Sequence, residues 1–85
     1  MNTSNNVETL VSSMIMAIVD DRAAVNVTVS DTQKGLLFEV KVGKDDVGKI
    51  IGKQGRIANA IRTLAKAAGA RDGLRVMVNV LNTSV

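Results

Sequence analysis

The stretch Ile50-Ile51-Gly52-Lys53-Gln54-Gly55-Arg56 decides the fold of this chain of 85 residues. Two glycines bracket a lysine and a glutamine, with apolar helical patterns before and after them. Glycine adopts backbone angles that other residues avoid, so the pair allows a tight reversal and a close approach by a second backbone. The helix that follows begins with unpaired N–H groups and a partial positive charge. Together with the full charges of Lys53 and Arg56, this pattern predicts a phosphate-binding turn between two helices.

Helices flank the turn on both sides. Val47, Ile50 and Ile51 mark a short helix before it, for which Asp45 or Asp46 is a candidate N-cap. A longer helix is predicted from about residue 56 to residue 68, and Gly69 is well placed to stop it. Apolar residues at helical spacing predict the buried face of this helix, formed by Ile57, Ala60, Ile61, Leu64 and Ala68.

The rest of the chain supplies one more helix and three strands. A helix over residues 6–19 is predicted, with Asn5 as its N-cap and with Met14 and Met16 as core residues. A short loop at residues 31–35 joins the first two strands into a hairpin, and Gly35 is free to adopt a positive φ there. The helix stripe comprises Val7, Leu10, Val11, Met14, Ile15 and Ile18; the strands alternate through Val25, Val27 and Val29, through Leu36, Phe38, Val40 and Val42, and through Leu74, Val76, Val78 and Val80.

The resulting element order is α-β-β-α-α-β. Three helices with apolar faces are able to cover one side of a three-stranded sheet, which predicts a two-layer α+β fold. One domain occupies residues 1–85, with its core at about residues 7–81 and flexible ends at residues 1–5 and 82–85.

Composition excludes several classes of function. Cysteine and histidine are both absent, which excludes a Ser-His-Asp triad, a Cys-His pair and a Cys/His zinc site. Phe38 is the single aromatic residue, which argues against stacking bases on aromatic rings. Residues 1–33 carry one basic and four acidic side chains (net −3), and residues 34–85 carry ten basic and four acidic ones (net +6), in agreement with the total of +3. The basic half indicates a polyanionic partner.

On these residues the sequence resembles the KH domain. The run from Ile50 to Arg56 is similar to the GXXG loop that clamps the backbone of about four nucleotides in that fold. The element order is that of the type II, bacterial form. Gly48-Lys49 and Asn59-Ala60-Ile61-Arg62-Thr63-Leu64 narrow the resemblance to the KhpA family of small bacterial single-KH-domain proteins, over about residues 7–81. The resemblance implies single-stranded RNA binding with low sequence specificity.

The resemblance also implies the roles of individual residues. One position departs from the KH pattern, because Ala58 stands where a large aliphatic residue is common and Ile57 comes just before it. Either the helix is rotated or the floor of the groove is shallower. The loop at residues 31–35 takes the place of the variable loop and is short for wrapping RNA. The implied contacts to the RNA backbone are Gly52, Lys53, Gln54 and Gly55, with Lys49 and Arg56 as further phosphate contacts and Val47, Gly48 and Ile51 along one side of the groove.

Partners follow from the same resemblance. The family is associated with RNA chaperone activity and post-transcriptional regulation linked to cell division and cell shape, with a larger multidomain KH partner of the KhpB type, and with self-association. An alternative function is that of a protein–protein module that binds RNA weakly or not at all on its own. Leu37, Met77 and Leu81 are candidates for a homodimer contact. Single-stranded DNA remains an alternative ligand, since no residue obviously recognises a 2′-hydroxyl group.

Other readings of the sequence are weaker. Residues 43–50 approach the phosphate-loop motif of nucleotide-binding enzymes, but Ile50 replaces the hydroxyl residue that binds Mg²⁺. The acidic pairs Asp20-Asp21 and Asp45-Asp46 are typical of helix caps, and no nucleophile accompanies them. We therefore expect neither an enzyme nor a metal site nor a cofactor. The polar start of the chain and the absence of a long apolar run predict a cytoplasmic protein with no membrane contact.

Overall fold

The computed structural model describes residues 3–81 and confirms the α+β fold class. Short 3-10 turns precede β1, α2 and α3, at Arg22–Ala24, Lys44–Asp46 and Lys53–Gly55. None of the helices in the described part of the chain is long and apolar enough to cross a membrane. The main elements are α1 (Thr3–Ile18), β1 (Asn26–Thr32), β2 (Gly35–Lys41), α2 (Val47–Ile51), α3 (Arg56–Ala70) and β3 (Val76–Val80).

The three strands form one mixed sheet in the order β1-β2-β3. β1 and β2 are antiparallel, with Val29 opposite Phe38, whereas β2 and β3 are parallel, with Phe38 beside Val78. β2 is therefore the central strand, and β1 and β3 have open edges. Because side chains alternate along a strand, these valines share one face with Phe38, which is completely buried beneath the helices.

The helix α1 packs on the sheet with the predicted stripe, although its limits differ from the prediction. Val7, Val11 and Ile15 are fully buried. The helix begins at Thr3, so Asn5 lies inside it and does not occupy the predicted N-cap position. The prediction of two core methionines is half correct, because Met14 packs against the core while Met16 is exposed.

The helix α3 buries a different face from the one predicted. Its buried residues are Ala58, Ile61, Ala65 and Gly69. The small side chains let the helix approach its neighbours closely, so they fill the core face even though larger residues stand beside them. Of the predicted stripe, Ile57, Ala60 and Leu64 are exposed, Ala68 is half-buried and only Ile61 is buried.

Gly69 does not stop α3 as predicted. The helix continues to Ala70, and the chain turns at Gly73, whose φ is +73°. A Cβ added at Gly69 would lie 2.3 Å from Cγ2 of Val76 and 3.0 Å from the carbonyl oxygen of Leu74. Residue 69 is therefore limited to glycine by the close contact between α3 and β3.

The hairpin between β1 and β2 is tighter than the predicted loop of residues 31–35. The strands extend to Thr32 and from Gly35, which leaves Gln33 and Lys34 as a two-residue turn. Thr32 Oγ1 donates to the carbonyl of Gly35 at 2.7 Å and accepts the N–H of Lys34 at 3.2 Å. Gly35 has the predicted positive φ, at +130°.

Replacing Gly69 with alanine tests the close contact between α3 and β3. We expect Gly69→Ala to lower the free energy of unfolding by about 1–3 kcal/mol, because the added methyl group overpacks the core. Gly48→Ala is the matched control, since Gly48 lies in α2 and nothing stands within 4 Å of an added Cβ. Alanine should raise stability there by about 0.5–1 kcal/mol. Equal effects in urea denaturation would contradict this account of Gly69.

Candidate nucleic-acid interface

The turn between α2 and α3 reverses the chain through left-handed backbone conformations. Gly52 has φ +74° and ψ 175°, Gln54 has φ +59° and ψ 24°, and Gly55 has φ +73° and ψ 14°. The N–H of Gly52 donates to the carbonyl of Gly48 at 2.9 Å, and the N–H of Gly55 donates to the carbonyl of Gly52 at 3.2 Å. The two glycines thus permit the tight reversal predicted from the sequence, and Gln54 accepts a conformation that costs L-residues free energy.

Steric contact makes Gly52 the more restricted of the two glycines. A Cβ added at Gly52 would lie 2.7 Å from Cγ1 of Ile57, whereas one added at Gly55 would be 3.8 Å from Nδ2 of Asn59. The backbone of the turn therefore lies directly on the Ile57 side chain. Lys53 and Gln54 are exposed at the tip of the turn.

The N-terminus of α3 opens into this turn. Gly55 occupies the N-cap position and no side chain caps the helix. The first N–H groups of a helix have no partner within the helix and carry partial positive charge. The exposed Arg56 stands beside them, and its Nη2 donates to Oε1 of Gln54 at 3.3 Å. The N–H of Arg56 donates to the carbonyl of Lys53. The missing side-chain cap and two exposed cations, Lys53 and Arg56, nevertheless suit this end of the helix to bind an anion.

Lys49 is not brought into this group of cations. Its ammonium makes an ion pair with Asp20 and lies 3.4 Å from Oδ1 of Asp46. The hydrogen bond to Asp20 raises the pKa of Lys49 above its usual value of 10.5. Two carboxylates already balance the charge of this side chain, so the predicted phosphate contact at Lys49 competes with an internal ion pair.

Asp46 has a role that the sequence analysis missed. It stands at the N-cap position of α2 but makes no capping hydrogen bond. Its carboxylate is buried and accepts the backbone N–H of Asp20 at 3.2 Å and that of Asp21 at 3.0 Å. Asp46 therefore ties the end of α1 to the start of α2. Burial of one aspartate of an acidic pair leaves no clear signal in a single sequence.

The hydrogen bonds to Asp46 change its acidity. The backbone N–H groups of Asp21 and Asp20, assisted by the ammonium of Lys49, hold the pKa of Asp46 below its usual value of 3.8, although burial acts in the opposite direction. Asp45 is exposed. No group of three or more acidic residues that could hold a metal ion exists among residues 3–81.

Aliphatic side chains line the α2 side of the turn. Val47 is half-buried, Ile51 is 38% exposed and Gly48 leaves open space above the helix. Ala58 is buried while Ile57 is 36% exposed. The helix is therefore not rotated to bring Ile57 inward, and Ala58 places only a methyl group where a large aliphatic residue is common.

A second apolar surface lies between α1 and α3, on the flank that the sequence analysis assigned to the core. Leu64 is 51% exposed there. By contrast, the proposed dimer residues Leu37, Met77 and Leu81 are only half-exposed. We call this surface the α1–α3 groove; it is lined by Met14, Ala17, Ile18, Arg56, Ile57, Ala60, Ile61 and Leu64.

Comparisons with known proteins agree on one family. A family model described as the KH domain of KhpA/KhpB matches residues 8–80. The RNA-binding protein KhpA of Caldanaerobacter subterraneus subsp. tengcongensis is 46% identical over 72 residues, which cover 85% of this chain and 96% of the relative. RNA-binding protein KhpA of Listeria monocytogenes is 38% identical over 74 residues, covering 87% of this chain and 97% of the relative. The corresponding protein of Aquifex aeolicus is 42% identical over 64 residues, covering 75% and 81%. No solved structure matches significantly.

The buried carboxylate predicts an acid-sensitive fold. A lowered pKa means that the hydrogen bonds of Asp46 stabilise the folded state above the ordinary pKa of 3.8. This contribution is lost as the pH falls through the lower pKa of the folded state. We expect the free energy of unfolding to decrease from about pH 5 to about pH 3, with a smaller decrease in Asp46→Asn.

The neighbouring Asp45 supplies the matched control. Asp45→Asn removes the same charge from an exposed position one residue away. Its stability should follow the wild-type pH dependence in urea titrations. If both variants lost the same part of the pH dependence, general charge and not the contacts of Asp46 would be responsible.

Proposed function

The chain belongs to the KhpA/KhpB KH-domain family, and we propose that it binds single-stranded RNA through the turn at residues 52–55. The observation that carries the proposal is the uncapped N-terminus of α3, which follows two glycines and has Lys53 and Arg56 exposed beside it. The curated relatives that match it are named RNA-binding proteins. The family is non-enzymatic, and this chain, as a member of it, is not an enzyme.

The sugar–phosphate backbone is the part of RNA that this turn fits. The N–H of Arg56 already donates to the carbonyl of Lys53, so phosphate oxygens would accept hydrogen bonds from the following N–H groups in the first turn of α3, which has no side-chain cap. Lys53 and Arg56 add charge-assisted contacts from the two ends of the turn. Gly52 and Gly55 carry no side chain that would hold the RNA backbone away from these donors.

Bases would lie against aliphatic rather than aromatic side chains. Ile51 is exposed next to the turn, Val47 lies one helical turn before it, and Gly48 leaves space between RNA and the α2 backbone. Contacts of this kind distinguish bases weakly, so we propose low sequence specificity. Single-stranded DNA is the alternative ligand of the same surface, since no residue there obviously recognises a 2′-hydroxyl group.

Lys49 receives a different role from the one that the sequence suggested. Because it pairs with Asp20 and Asp46, we propose that it mainly holds α2 against the end of α1. Its phosphate contact would require the ion pair with Asp20 to break. We propose the RNA contacts predicted from the sequence for the other residues of the site, which are Val47, Gly48, Ile51, Gly52, Lys53, Gln54, Gly55 and Arg56.

We propose that the chain acts in the cytoplasm and regulates RNA there. The family model includes both KhpA and KhpB, which supports a larger KH protein of the KhpB type as a partner. Together with such a partner, the chain would act as an RNA chaperone or a post-transcriptional regulator that influences cell division and cell shape.

A homodimer would strengthen weak RNA binding, because two linked sites raise the effective concentration of RNA. We propose that the second copy covers the part of the α1–α3 groove around Leu64, which leaves Arg56 at the turn available to RNA, and not the sheet face carrying Leu37 and Met77. Leu64 is the most exposed large apolar residue of this groove, at 51%, while Leu37 and Met77 are partly covered by their neighbours.

Reversing the charge of the turn tests RNA binding. The double change Lys53→Asp with Gln54→Asp keeps both glycines and should abolish binding of short single-stranded RNA in fluorescence anisotropy. In the wild type, the logarithm of the affinity should fall linearly with the logarithm of the salt concentration, by about 0.7 for each phosphate contacted.

A second double change controls for net charge. Lys41→Asp with Thr9→Asp alters the charge by the same amount at exposed positions on β2 and α1, and it should retain most of the binding. If both variants bound equally well, the turn would not be the site. A folded wild type that bound no RNA at low salt would contradict RNA binding and favour the protein–protein module.

Exchange of Leu64 tests the dimer. We expect Leu64→Glu to give a monomer in analytical ultracentrifugation, because it places a charge in the apolar α1–α3 groove. Leu37→Glu is the control on the opposite face of the molecule and should leave self-association unchanged. The reverse pattern would assign the dimer to the sheet, and a concentration-independent wild-type monomer would exclude it.

A further inference from the structure

We propose that the RNA strand held by the turn continues along α3 and enters a second basic groove at the other end of this helix. The inference rests on the proposed RNA binding at residues 52–55 and extends its footprint. We call this surface the α3–β3 groove; it is lined by Lys34, Lys66, Ala70, Leu74, Arg75, Val76 and Met77.

Three separate elements bring cations to the α3–β3 groove. Lys66 comes from α3, Arg75 from the segment before β3 and Lys34 from the hairpin turn. All three side chains are exposed, and none makes an ion pair or a hydrogen bond with another side chain of residues 6–81. No acidic residue is part of the lining. A concave surface with three cations and no anion favours a polyanionic ligand.

Two close backbone contacts hold these elements together. The N–H of Leu36 donates to the carbonyl of Arg75 at 2.9 Å, and a Cβ added at Gly35 would lie 2.4 Å from that same oxygen. The missing side chain of Gly35 therefore allows the hairpin, with Lys34, to approach Arg75. Gly69 does the same for the end of α3, as its contact with Val76 shows. The groove is a fixed feature of the packing, although its cations are long and adaptable.

A polar face of α3 connects the turn to this groove. Asn59, Arg62 and Lys66 are separated by three and four residues, so they follow one another along the same side of the helix. Arg62 Nη1 donates to Oδ1 of Asn59 at 3.1 Å, and its Nε donates to the carbonyl of Val78 at 3.0 Å. This side of α3 therefore faces the open edge of β3. A bound strand leaving Gly55 would meet Asn59, then the guanidinium of Arg62, then Lys66.

The distance involved corresponds to a few nucleotides. Arg56 and Lys66 are ten residues apart in α3, which corresponds to about 15 Å along the helix axis. Successive phosphates of a stacked strand are about 3.4 Å apart along its axis, so about four or five nucleotides span this distance. Since a KH loop clamps about four nucleotides, the combined footprint is about eight or nine.

The dependence of affinity on RNA length tests the proposal. The experiment compares the affinities of the full chain for single-stranded RNAs of about five and about twelve nucleotides, measured by fluorescence anisotropy. The variant Lys66→Ala with Arg75→Ala should bind the longer RNA about 5- to 20-fold more weakly and reduce its salt slope by about 1.4. It should bind the shorter RNA within about twofold of the wild type, because the short RNA reaches only the turn.

The control removes two other exposed cations, with Lys41→Ala and Arg22→Ala, and should leave both RNAs bound as in the wild type. The proposal is overturned if the groove variant weakens both RNAs alike, or neither. It is also overturned if the variant leaves the longer RNA unaffected but weakens a labelled acidic peptide, which would assign the groove to a protein partner. If the wild type itself did not bind the short RNA, binding at the turn would be refuted instead. Failure of the extended footprint and failure of the proposed function therefore give different results.

Discussion

The contact between Gly52 and Ile57 determines how α2 and α3 meet. The backbone of the turn lies on the Ile57 side chain, with no room for a Cβ at residue 52. This contact, together with the positive φ of Gln54 and Gly55, leads into a first turn of α3 that has no side-chain cap. The position of Lys53 and Arg56 beside this helix start follows from the same reversal. Without this contact, the two helices would lack the short connection that places charge beside a helix start without a side-chain cap.

A second set of contacts fixes α2 from its other end. Asp46 accepts two backbone N–H groups from the end of α1, and Lys49 bridges Asp46 and Asp20. A helix of five residues has little stability of its own, so these contacts position it on the rest of the domain. The proposed RNA surface therefore consists of the constrained turn at residues 52–55 and of α2, which these contacts hold in place.

Most of the fold and the central part of the candidate site follow from the sequence. Alternating valines define the strands, and the glycine spacing defines the turn. The prediction of the buried face of α3 was wrong because packing there depends on the size of the side chains and not on their hydrophobicity. Ala58, Ala65 and Gly69 form the core face of α3 because they allow close approach, while the larger Leu64 remains exposed. The sequence also does not show which charged groups pair with each other, as Asp46 and Lys49 illustrate. Their contacts with Asp20 join residues 26 and 29 positions apart, and a local pattern carries no information about such pairs.

The central claim is that RNA meets the chain at the turn and the start of α3. The most direct measurement is an NMR titration of the ¹⁵N-labelled chain with a short single-stranded RNA. The account predicts that the largest amide shifts occur from Gly52 to Asn59, with smaller shifts at Val47 and Ile51. Shifts concentrated on the outer face of the sheet, around Leu37 and Met77, with the turn unchanged, would contradict it.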